Sequence, residues 1–239
     1  MKKSPILILL ILMTVTIFQQ AFSQLKKSAS AVTTREREIS SFTGIVASGA
    51  FNLILNQAGQ CSIKIETEEN LQEIVKTFMD GKNLKIDILE DQRKPKVLNV
   101  YVGVNNLSSL VILGSIILKA DSVLNCNELT ISAGGTTISD IKVIASKIDM
   151  DAGDAAVIKV AGNCEYLKIR ASDDSEIDAF GLQSEICKMR ASGFSDVKLN
   201  VVSEIEMMVT GGGNVYYTGE PAIKNRIFAG SGFIVKRRN

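Results

Sequence analysis

One short pattern returns at a nearly fixed interval between Leu129 and Val235. It reads apolar, polar, apolar, polar, small and then two turn-type residues, and it occurs as LTISAGG, IDMDAGD, LKIRASD, CKMRASG and IEMMVTG, with NRIFAGS as a broken last copy. The small residues are Ala133, Ala152, Ala171, Ala191, Val209 and Ala229, at intervals of 19, 19, 20, 18 and 20. A period near 19 with strand-like alternation predicts a coil of β-strands with one turn, or rung, per repeat.

The repeats align into columns whose members share one environment, because neighbouring rungs of such a coil lie about 4.8 Å apart. One inward column holds Leu129, Ile148, Leu167, Cys187 and Ile205, and the next holds Ile131, Met150, Ile169, Met189, Met207 and Ile227. A second alternating segment follows each turn, as Val157 and Val160, Ile177 and Ala179, Val197 and Leu199, and Val215 and Tyr217. Each rung is therefore predicted to carry at least two strands and two corners. Glycine is frequent at one corner, where tight bends need it.

Charged residues fill the predicted outward columns with alternating sign. One column runs through Asp140, Lys159, Asp178 and Lys198 and continues to Tyr216 and Lys236. Two further columns place Asp149 beside Lys168 and Asp151 beside Arg170. Opposite charges on neighbouring strands contribute roughly 0.2–1 kcal/mol each, so these columns select the register more than they add stability. A slip of one residue would turn the charges inward.

The first 23 residues have the layout of a secretory signal peptide. Two lysines precede an apolar run that ends at Phe18, and Ala21 and Ser23 satisfy the small-residue rule for cleavage. Gln24 is therefore the predicted mature N-terminus. An uncleaved membrane anchor is the alternative, but the run is short for a span of ~20 residues. The chain is thus expected to be exported to the periplasm, the outer envelope or the medium, with no stable membrane span after cleavage.

The composition excludes several function classes. The chain has 27 basic and 26 acidic residues, so the net charge of +1 gives no basic face for nucleic acid. There is no histidine, which excludes Ser-His-Asp and Cys-His catalytic machinery and any histidine-ligated metal. No cofactor is expected.

Four cysteines in an exported chain would ordinarily suggest two disulfides, but the column positions disfavour this pairing. Cys126 and Cys164 share one offset two rungs apart, roughly 9–10 Å, which exceeds the ~7 Å limit between Cα atoms for a disulfide. Cys187 lies in an inward column. The three are predicted to be small buried thiols, whereas the pairing of Cys61 stays open.

The N-terminal half is less regular than the repeats. Residues 24–39 are polar and without periodicity, which predicts a flexible leader, and residues 40–239 are assigned to one solenoid domain with a soft internal boundary near Asn105. Glu69 to Met79 has helical spacing and ends at Asp-Gly, so one short helix is predicted. Leu107 to Leu118 is interpreted as the first regular rung, with Leu113-Gly114-Ser115 in the place of the later Ala-Gly-Gly.

Two strongly alternating segments, Asn83 to Leu89 and Val97 to Val104, flank a polar link. They are predicted to be strands, joined either as a hairpin or by a crossing between sheets. The predicted fold class is therefore all-β: a right-handed parallel β-helix, or β-solenoid, with rungs of ~19 residues, an irregular β N-terminal half and one short helix.

These features resemble the head GIN domain family, the auto-transporter adhesins or DUF2807 of Bacteroidetes. The resemblance is carried by FTGIVASGAFNLIL at Phe42 to Leu55, by DGKNLKI, and by GGGNVYYTGEP at Gly211 to Pro221, and it covers about Ser40 to Val235. It implies a β-helical fold at the cell envelope or outside it, and it supplies no catalytic residues. Family members often have Ser-Gly-Ser-Gly corners, whereas this chain has Ala-Gly-Asp from Ala152 and Ser-Asp-Asp from Ser172, which makes its corner more acidic.

The acidic corner is the first candidate site. Six carboxylates from neighbouring repeats are predicted to converge on one edge: Asp151, Asp154, Asp173, Asp174, Glu176 and Asp196. Such an edge is able to hold calcium or to act on a glycosidic bond. The favoured interpretation is a solvated edge with Asp151 neutralised by Arg170, because the chain lacks the GGxGxDx repeats of calcium-binding β-helices. No metal ligand and no catalytic residue is assigned.

The aromatic residues near the end of the coil are the second candidate. Tyr216 lies in an outward column and is predicted to offer an aromatic contact to a sugar, while Tyr217 and Phe228 are predicted to pack or cap the last rungs. With no tryptophan and 5% aromatic residues, the sequence gives little support to a stacking platform. The basic segment Lys236 to Asn239 is expected to discourage pairing at the last strand edge.

Two function classes follow from these observations. The favoured one is an exported, non-catalytic envelope or surface protein, an adhesin-like scaffold that presents a solenoid face to a glycan or another protein. The alternative is a polysaccharide lyase or glycoside hydrolase, by analogy with other β-helices. The first is preferred because the outward columns are paired in charge and lack an unpaired cluster of cations and carboxylates.

The cleavage site gives the first testable prediction. Intact-mass measurement of the protein from its native host is expected to show a chain that begins at Gln24 and is free of the membrane fraction. Recovery of residues 1–23 in a membrane-bound form would contradict it.

Overall fold

The strands stack into a β-solenoid of about seven turns with rungs of about 19 residues, as described by a computed structural model over residues 31–89 and 94–238. The elements are β1 (Val32–Arg37), β2 (Gly44–Gln57), β3 (Ser62–Glu68), the 3-10 helix η1 (Glu69–Ile74), β4 (Val75–Asp80), β5 (Asn83–Ile88), β6 (Leu98–Val104), β7 (Ser109–Ala120), β8 (Leu124–Asn125), β9 (Glu128–Gly135), β10 (Ile138–Ala152), β11 (Val157–Ala171), β12 (Glu176–Ala191), β13 (Asp196–Gly211), β14 (Asn214–Thr218), β15 (Ala222–Gly230) and β16 (Phe233–Lys236). The predicted fold class is confirmed, while the signal-peptide prediction lies outside the described residues. No helix in the described part of the chain is long and apolar enough to cross a membrane.

Parallel hydrogen bonding joins each rung to the next along the repeat region. The order is β7, β9, β10, β11, β12 and β13, after which β14 and β15 both pair with β13, and β16 pairs with β14. β10 and β11 pair from Ile138 opposite Val157 to Ala152 opposite Ala171, an interval of 19 residues throughout. This register brings the residues of each predicted column into direct contact.

The inward columns form the core. The columns that begin at Leu129 and Ile131 are confirmed as far as Ile205 and Met207, and every member is at most 2% exposed. The small column from Ala133 to Val209 is likewise buried. In the second strand segment, the buried column begins at Ile158 rather than Val157, because Ile158 is the residue opposite Ile177.

The last rung departs from the predicted columns by one residue. A bulge between Ile205 and Glu206 shifts the register of β15, so that the apolar and small residues face different partners. The observed pairs are Met208 with Ile227, Thr210 with Ala229, and Tyr216 with Val235 instead of Lys236. The predicted inward place of Ile227 is therefore wrong, and every residue of β15 is exposed because no further rung of the described chain covers it.

The N-terminal strand β2 is a complete rung of the same solenoid. It pairs with β7 in parallel over twelve successive positions, from Gly44 opposite Ser109 to Leu55 opposite Ala120. This register places Ile112 opposite both Ala47 and Ala133, so the predicted alignment of Leu113-Gly114-Ser115 with the later corner is wrong by one residue.

The two strands of uncertain connection, β5 and β6, lie on the other edge of β2. β5 pairs with the first half of β2 and β6 with its second half, both in parallel. They are therefore successive parts of one rung and are not paired with each other as a hairpin. Spatial order thus differs from sequence order, since this rung comes after β2 in the chain but precedes it in the stack.

Two predictions in the N-terminal half hold only in part: one short helix is present, but it is a 3-10 helix shorter than predicted, and the leader contains a strand. The helix ends at Ile74, and Val75–Asp80 forms β4, because an antiparallel pairing with β5 overrides the short helical spacing. The polar leader is ordered in part, because Val32–Arg37 forms β1 and pairs antiparallel with β3. β1 is a largely exposed edge strand and therefore needs no apolar alternation, and Arg37 ties it to the fold by donating hydrogen bonds to the carbonyls of Gln72 and Val75 at 2.7 and 2.6 Å.

The charged columns pair as the register requires. Lys168 Nζ lies 3.2 Å from Asp149 Oδ2, and Arg170 Nε lies 2.7 Å from Asp151 Oδ2. In the column of Asp140, Lys159, Asp178 and Lys198 the predicted register is confirmed. Lys198, however, forms its ion pair with Glu176 of the adjacent column. Opposite charges thus meet on neighbouring rungs both within a column and diagonally between columns.

We expect Ala171→Leu to destabilise the fold more than Lys168→Ala. Ala171 is 3% exposed between Ala152 and Ala191, and overpacking such a site costs about 1–3 kcal/mol. The Lys168 ion pair is partly exposed and is worth about 0–1 kcal/mol. Chemical denaturation of both variants measures the difference. Equal losses would contradict the inward position of the small column.

Candidate functional site

A left-handed residue turns the chain at the same corner in seven successive rungs. The φ angles are 120° at Gly49, 106° at Gly114, 76° at Gly135, 53° at Asp154, 58° at Asp173, 67° at Gly193 and 82° at Gly211. At Gly193 a Cβ atom would lie 2.8 Å from the backbone nitrogen and oxygen of Asp173, so the close approach of the rungs requires glycine there. Aspartate fills two positions because it tolerates this conformation better than most residues.

The two left-handed aspartates hydrogen bond to the backbone of this corner. Asp154 Oδ2 accepts a hydrogen bond from the backbone N–H of Gly135 at 2.8 Å. Asp173 Oδ2 repeats this contact one rung later, where it accepts from the N–H of Asp154 at 3.4 Å and from Ser172 Oγ at 3.0 Å. Each carboxylate thus satisfies a donor of the preceding rung, which gives these two residues a structural role in the turn.

The other predicted acidic residues are distributed along the same corner. Asp151 binds Arg170, Glu176 binds Lys198, and Asp196 Oδ1 accepts a hydrogen bond from Asn214 Nδ2 at 2.8 Å; Asp174 is exposed. The hydrogen bond to Asp151 raises the pKa of Arg170, and the hydrogen bond to Glu176 raises the pKa of Lys198. Within residues 31–89 and 94–238, no group of three or more acidic or cysteine side chains is arranged to hold a metal ion.

A groove with both apolar and polar lining residues lies beside this corner on the outward side, and we call it the corner groove. Its volume is about 320 Å³, and it is lined by Asp151, Arg170, Ala171, Ser172, Arg190, Ala191, Ser192, Met208 and Thr210. Three of these residues, Ser172, Ser192 and Thr210, stack on successive rungs. The hydroxyls of Ser192 and Thr210 donate long hydrogen bonds of 3.4 Å to carbonyls of the preceding rung, while that of Ser172 donates to Asp173. The groove therefore presents a ladder of hydroxyl oxygens beside two guanidinium groups.

Arg190 is the cation of the groove that lacks a counterion. Arg170 on the preceding rung is held by Asp151, and on the following rung the place of an acid is taken by Met208. The neighbouring Lys188 binds Glu206 at 2.8 Å, so that carboxylate is also engaged. Arg190 forms no ion pair or hydrogen bond with any described residue and is exposed.

An exposed aromatic ring lies in the turn that follows Ser192, a residue of the corner groove. Phe194 is two residues beyond Ser192 and is 73% exposed. Its ring lies against the backbone of Gly212 on the next rung, where a Cβ atom would come within 2.7 Å of the ring. Glycine at this position leaves room for the phenylalanine ring over the backbone of the next rung, where it is an exposed apolar surface.

Neither Arg190 nor Phe194 was predicted as a site residue from the sequence. The column of Arg190 contains a signal for it: Arg170 occupies the same position one rung earlier, and Met208 occupies it one rung later. Like charges on adjacent strands are unfavourable. An arginine at position 190 is therefore not explained by its contribution to stability. Phe194 occupies a turn position, where the repeat pattern predicts small or polar residues.

The aromatic residues at the end of the coil have different environments. Tyr216 packs edge-on against Phe233, with ring centroids 5.4 Å apart, and the Arg237 guanidinium lies 4.6 Å from the Tyr216 centroid. Tyr217 is 9% exposed, in keeping with the predicted packing role. Phe228 is 42% exposed and lies opposite the buried Val209, so of the two predicted roles its position fits capping of the last buried rung rather than burial within it.

Burial lowers the reactivity of three of the four cysteines: Cys164 and Cys187 are buried, as predicted, whereas Cys126 is only partly buried. All four are free, which confirms that Cys126 and Cys164 are unbridged, and it also answers the open pairing of Cys61. Burial raises the pKa of Cys126 to about 11 and that of Cys164 to about 12, and it also raises the pKa of the fully buried Cys187. A thiol with so high a pKa carries almost no thiolate at neutral pH and is a poor nucleophile.

These features define an all-β solenoid with an outward groove at one corner, lined by apolar residues, hydroxyls and two arginines. The chain belongs to the head GIN domain family, whose model, described as "Putative auto-transporter adhesin, head GIN domain", matches residues 41–221. The resemblance noted in the sequence is confirmed. No curated protein is significantly similar in sequence.

Solved structures share the fold. A "putative adhesin" of Bacteroides fragilis superposes with a TM-score of 0.83 at 20% identity, over 87% of this chain and 97% of the other. A "putative adhesin" of Parabacteroides distasonis gives 0.70 at 16% identity, over 87% and 98% of the two chains. A "putative lipid binding protein" of the same species gives 0.66 at 21% identity, over 86% and 96%. At these identities the likeness concerns the fold.

We expect calcium to leave the stability of the acidic corner unchanged. The comparison is melting with calcium and with chelator, for the native chain and for Asp154→Asn combined with Asp173→Asn. An ion bound only to the folded state at a hundredfold excess over its dissociation constant would stabilise it by about 2.7 kcal/mol. Asp174→Asn is the control, since Asp174 lies at the same corner without a positive φ. A calcium shift that the double substitution abolishes would contradict the expectation.

Proposed function

We propose that this protein is an exported, non-catalytic binding module of the cell envelope or surface, and that its corner groove binds an acidic glycan. The observation that carries the proposal is the unpaired guanidinium of Arg190 in a groove lined by hydroxyls. The adhesin descriptions of the family and of the similar structures support a binding role. Export rests on the predicted signal peptide.

The groove chemistry fits a sugar that carries a carboxylate or a sulfate. A guanidinium is able to bind such a group through two parallel hydrogen bonds, which are stronger than neutral ones. The hydroxyls of Ser192 and Thr210 are of the type that exchange hydrogen bonds with sugar hydroxyls. Phe194 offers an apolar face beside them, where the ring plane of a sugar can pack.

The repeat of the fold also suits a linear polymer. Equivalent positions recur on successive rungs about 4.8 Å apart, so the hydroxyl ladder extends along the stack. A polymer lying across the rungs would meet Ser172, Ser192 and Thr210 in turn. Arg190 then selects a sugar unit that carries an acidic group, while the hydroxyl ladder contacts the neighbouring sugar units.

Polysaccharide cleavage is the alternative function, and it requires an acid or base free to exchange a proton with the substrate. Asp151, the carboxylate of the groove, is bound to Arg170. Asp154 and Asp173 accept backbone hydrogen bonds at the corner. These engagements favour binding without turnover, and the experiment below measures both.

We expect Arg190→Gln to weaken binding of polygalacturonate by roughly tenfold to a hundredfold, the range of a lost charge-assisted hydrogen bond. Isothermal titration calorimetry with polygalacturonate, a sulfated polysaccharide and neutral dextran measures affinity and selectivity. Phe194→Ala is expected to weaken binding as well. Lys142→Gln removes an exposed positive charge outside the groove and is the matched control.

Three outcomes would contradict the proposal. If Arg190→Gln bound polygalacturonate as tightly as the native chain, the groove would not be the binding site. If dextran bound with equal affinity, binding would not require an acidic group. Reducing or unsaturated ends that appear during incubation, and that depend on Asp151, would establish cleavage in place of binding alone.

A further inference from the structure

The last rung of the solenoid is built unlike the others. We call β15, β16 and the following Arg237 and Arg238 the terminal rung. Five of its large apolar side chains are 40–46% exposed: Ile223, Ile227, Phe228, Phe233 and Val235. In the preceding rungs the columns of Ile223 and Phe228 are filled by Ile205 and Val209, which are fully buried. An end that faced only water would favour polar residues at these positions.

The charge of the terminal rung has one sign. Residues 222–238 contain Lys224, Arg226, Lys236, Arg237 and Arg238 and no acidic residue, although the whole chain is nearly neutral. Glu204 neutralises Lys224 at 3.0 Å and Glu220 neutralises Lys236. The remaining arginines form no ion pair with any described residue, and Arg237 lies over the ring of Tyr216. The exposed apolar surface is therefore surrounded by uncompensated positive charge.

The terminal rung is poorly suited to accept another β-strand. A bulge at the pairing of Ile205 and Glu206 disturbs β15, and β16 has only four residues. Bulges, short edge strands and basic side chains are the features by which proteins prevent edge-to-edge pairing. A second copy is also disfavoured as the occupant, since two such ends carry the same positive charge.

We propose that the terminal rung docks the solenoid end-on to an anionic phospholipid surface. Exposed phenylalanine and isoleucine side chains enter the boundary between headgroups and acyl chains, and arginine and lysine residues contact the anionic headgroups around them. The single sign of charge distinguishes this partner from a neutral bilayer. The proposal concerns a different surface from the corner groove and goes beyond glycan binding, because it gives the module an attachment at one end.

Co-sedimentation of the mature chain with vesicles tests the proposal. We expect binding to vesicles of equimolar phosphatidylglycerol and phosphatidylcholine, little binding to phosphatidylcholine alone, and release at about 0.5 M salt, where charge attraction to the surface is screened. Arg226→Gln with Arg238→Gln is expected to reduce the vesicle partition coefficient at least about tenfold. The double substitution Ile227→Ser with Val235→Ser is also expected to reduce the vesicle partition coefficient. Both side chains lie in outward columns of the terminal rung and are exposed.

The matched control is Lys142→Gln with Lys159→Gln. This control also removes two positive charges, but from exposed outward positions in the middle of the solenoid. It is expected to leave vesicle binding unchanged. Equal losses in this control and in the arginine variant would overturn the proposal, because net charge alone would then explain binding. Absence of binding to the anionic vesicles would also overturn it. So would sedimentation velocity that shows self-association abolished by Ile227→Ser with Val235→Ser, which would make a second copy the occupant.

Discussion

The structure depends on the parallel hydrogen-bond ladder between rungs. Because each strand pairs with the next over up to fourteen positions, every side chain lies directly above its counterpart one repeat earlier. A residue is therefore selected by its column as much as by its local sequence. The ladder explains why buried columns stay apolar from rung to rung, why opposite charges face each other on several neighbouring rungs, and why the left-handed corner recurs at one place.

Periodicity predicts the regular half of the fold because the pairing there is local. Ile169 and Met189 lie one repeat apart, so the sequence alone places them in contact. The N-terminal half is different, since β2 pairs with β5, β6 and β7, and no short-range pattern encodes which of these lies on which edge. The same limit applies to β4, whose antiparallel partner overrides a helical spacing, and to the bulge before Glu206, which shifts the final columns.

The candidate site shows the converse limit. Carboxylates are the side chains that sequence analysis selects as a candidate site. In the structure, however, Asp154 and Asp173 accept hydrogen bonds from the backbone, and Asp151 and Glu176 form ion pairs. What distinguishes a surface position is a residue that its column does not explain. Arg190 is such a residue, because it follows another arginine and precedes a methionine. Comparison along columns is thus a more selective guide to function in a solenoid than the density of acidic side chains.

A stack of rungs has two ends, and this chain treats them differently. At the N-terminal end, the rung formed by β5 and β6 is covered by the antiparallel strands β3 and β4 and by η1, with β1 beyond β3. Those elements supply side chains over the core and replace the parallel edge with antiparallel strands. At the other end, Ile223 and Phe228 extend buried columns into the open, and arginines surround them. The N-terminal end shows that antiparallel strands are able to cap a solenoid of this type, whereas the terminal rung leaves apolar and basic side chains uncovered among the described residues.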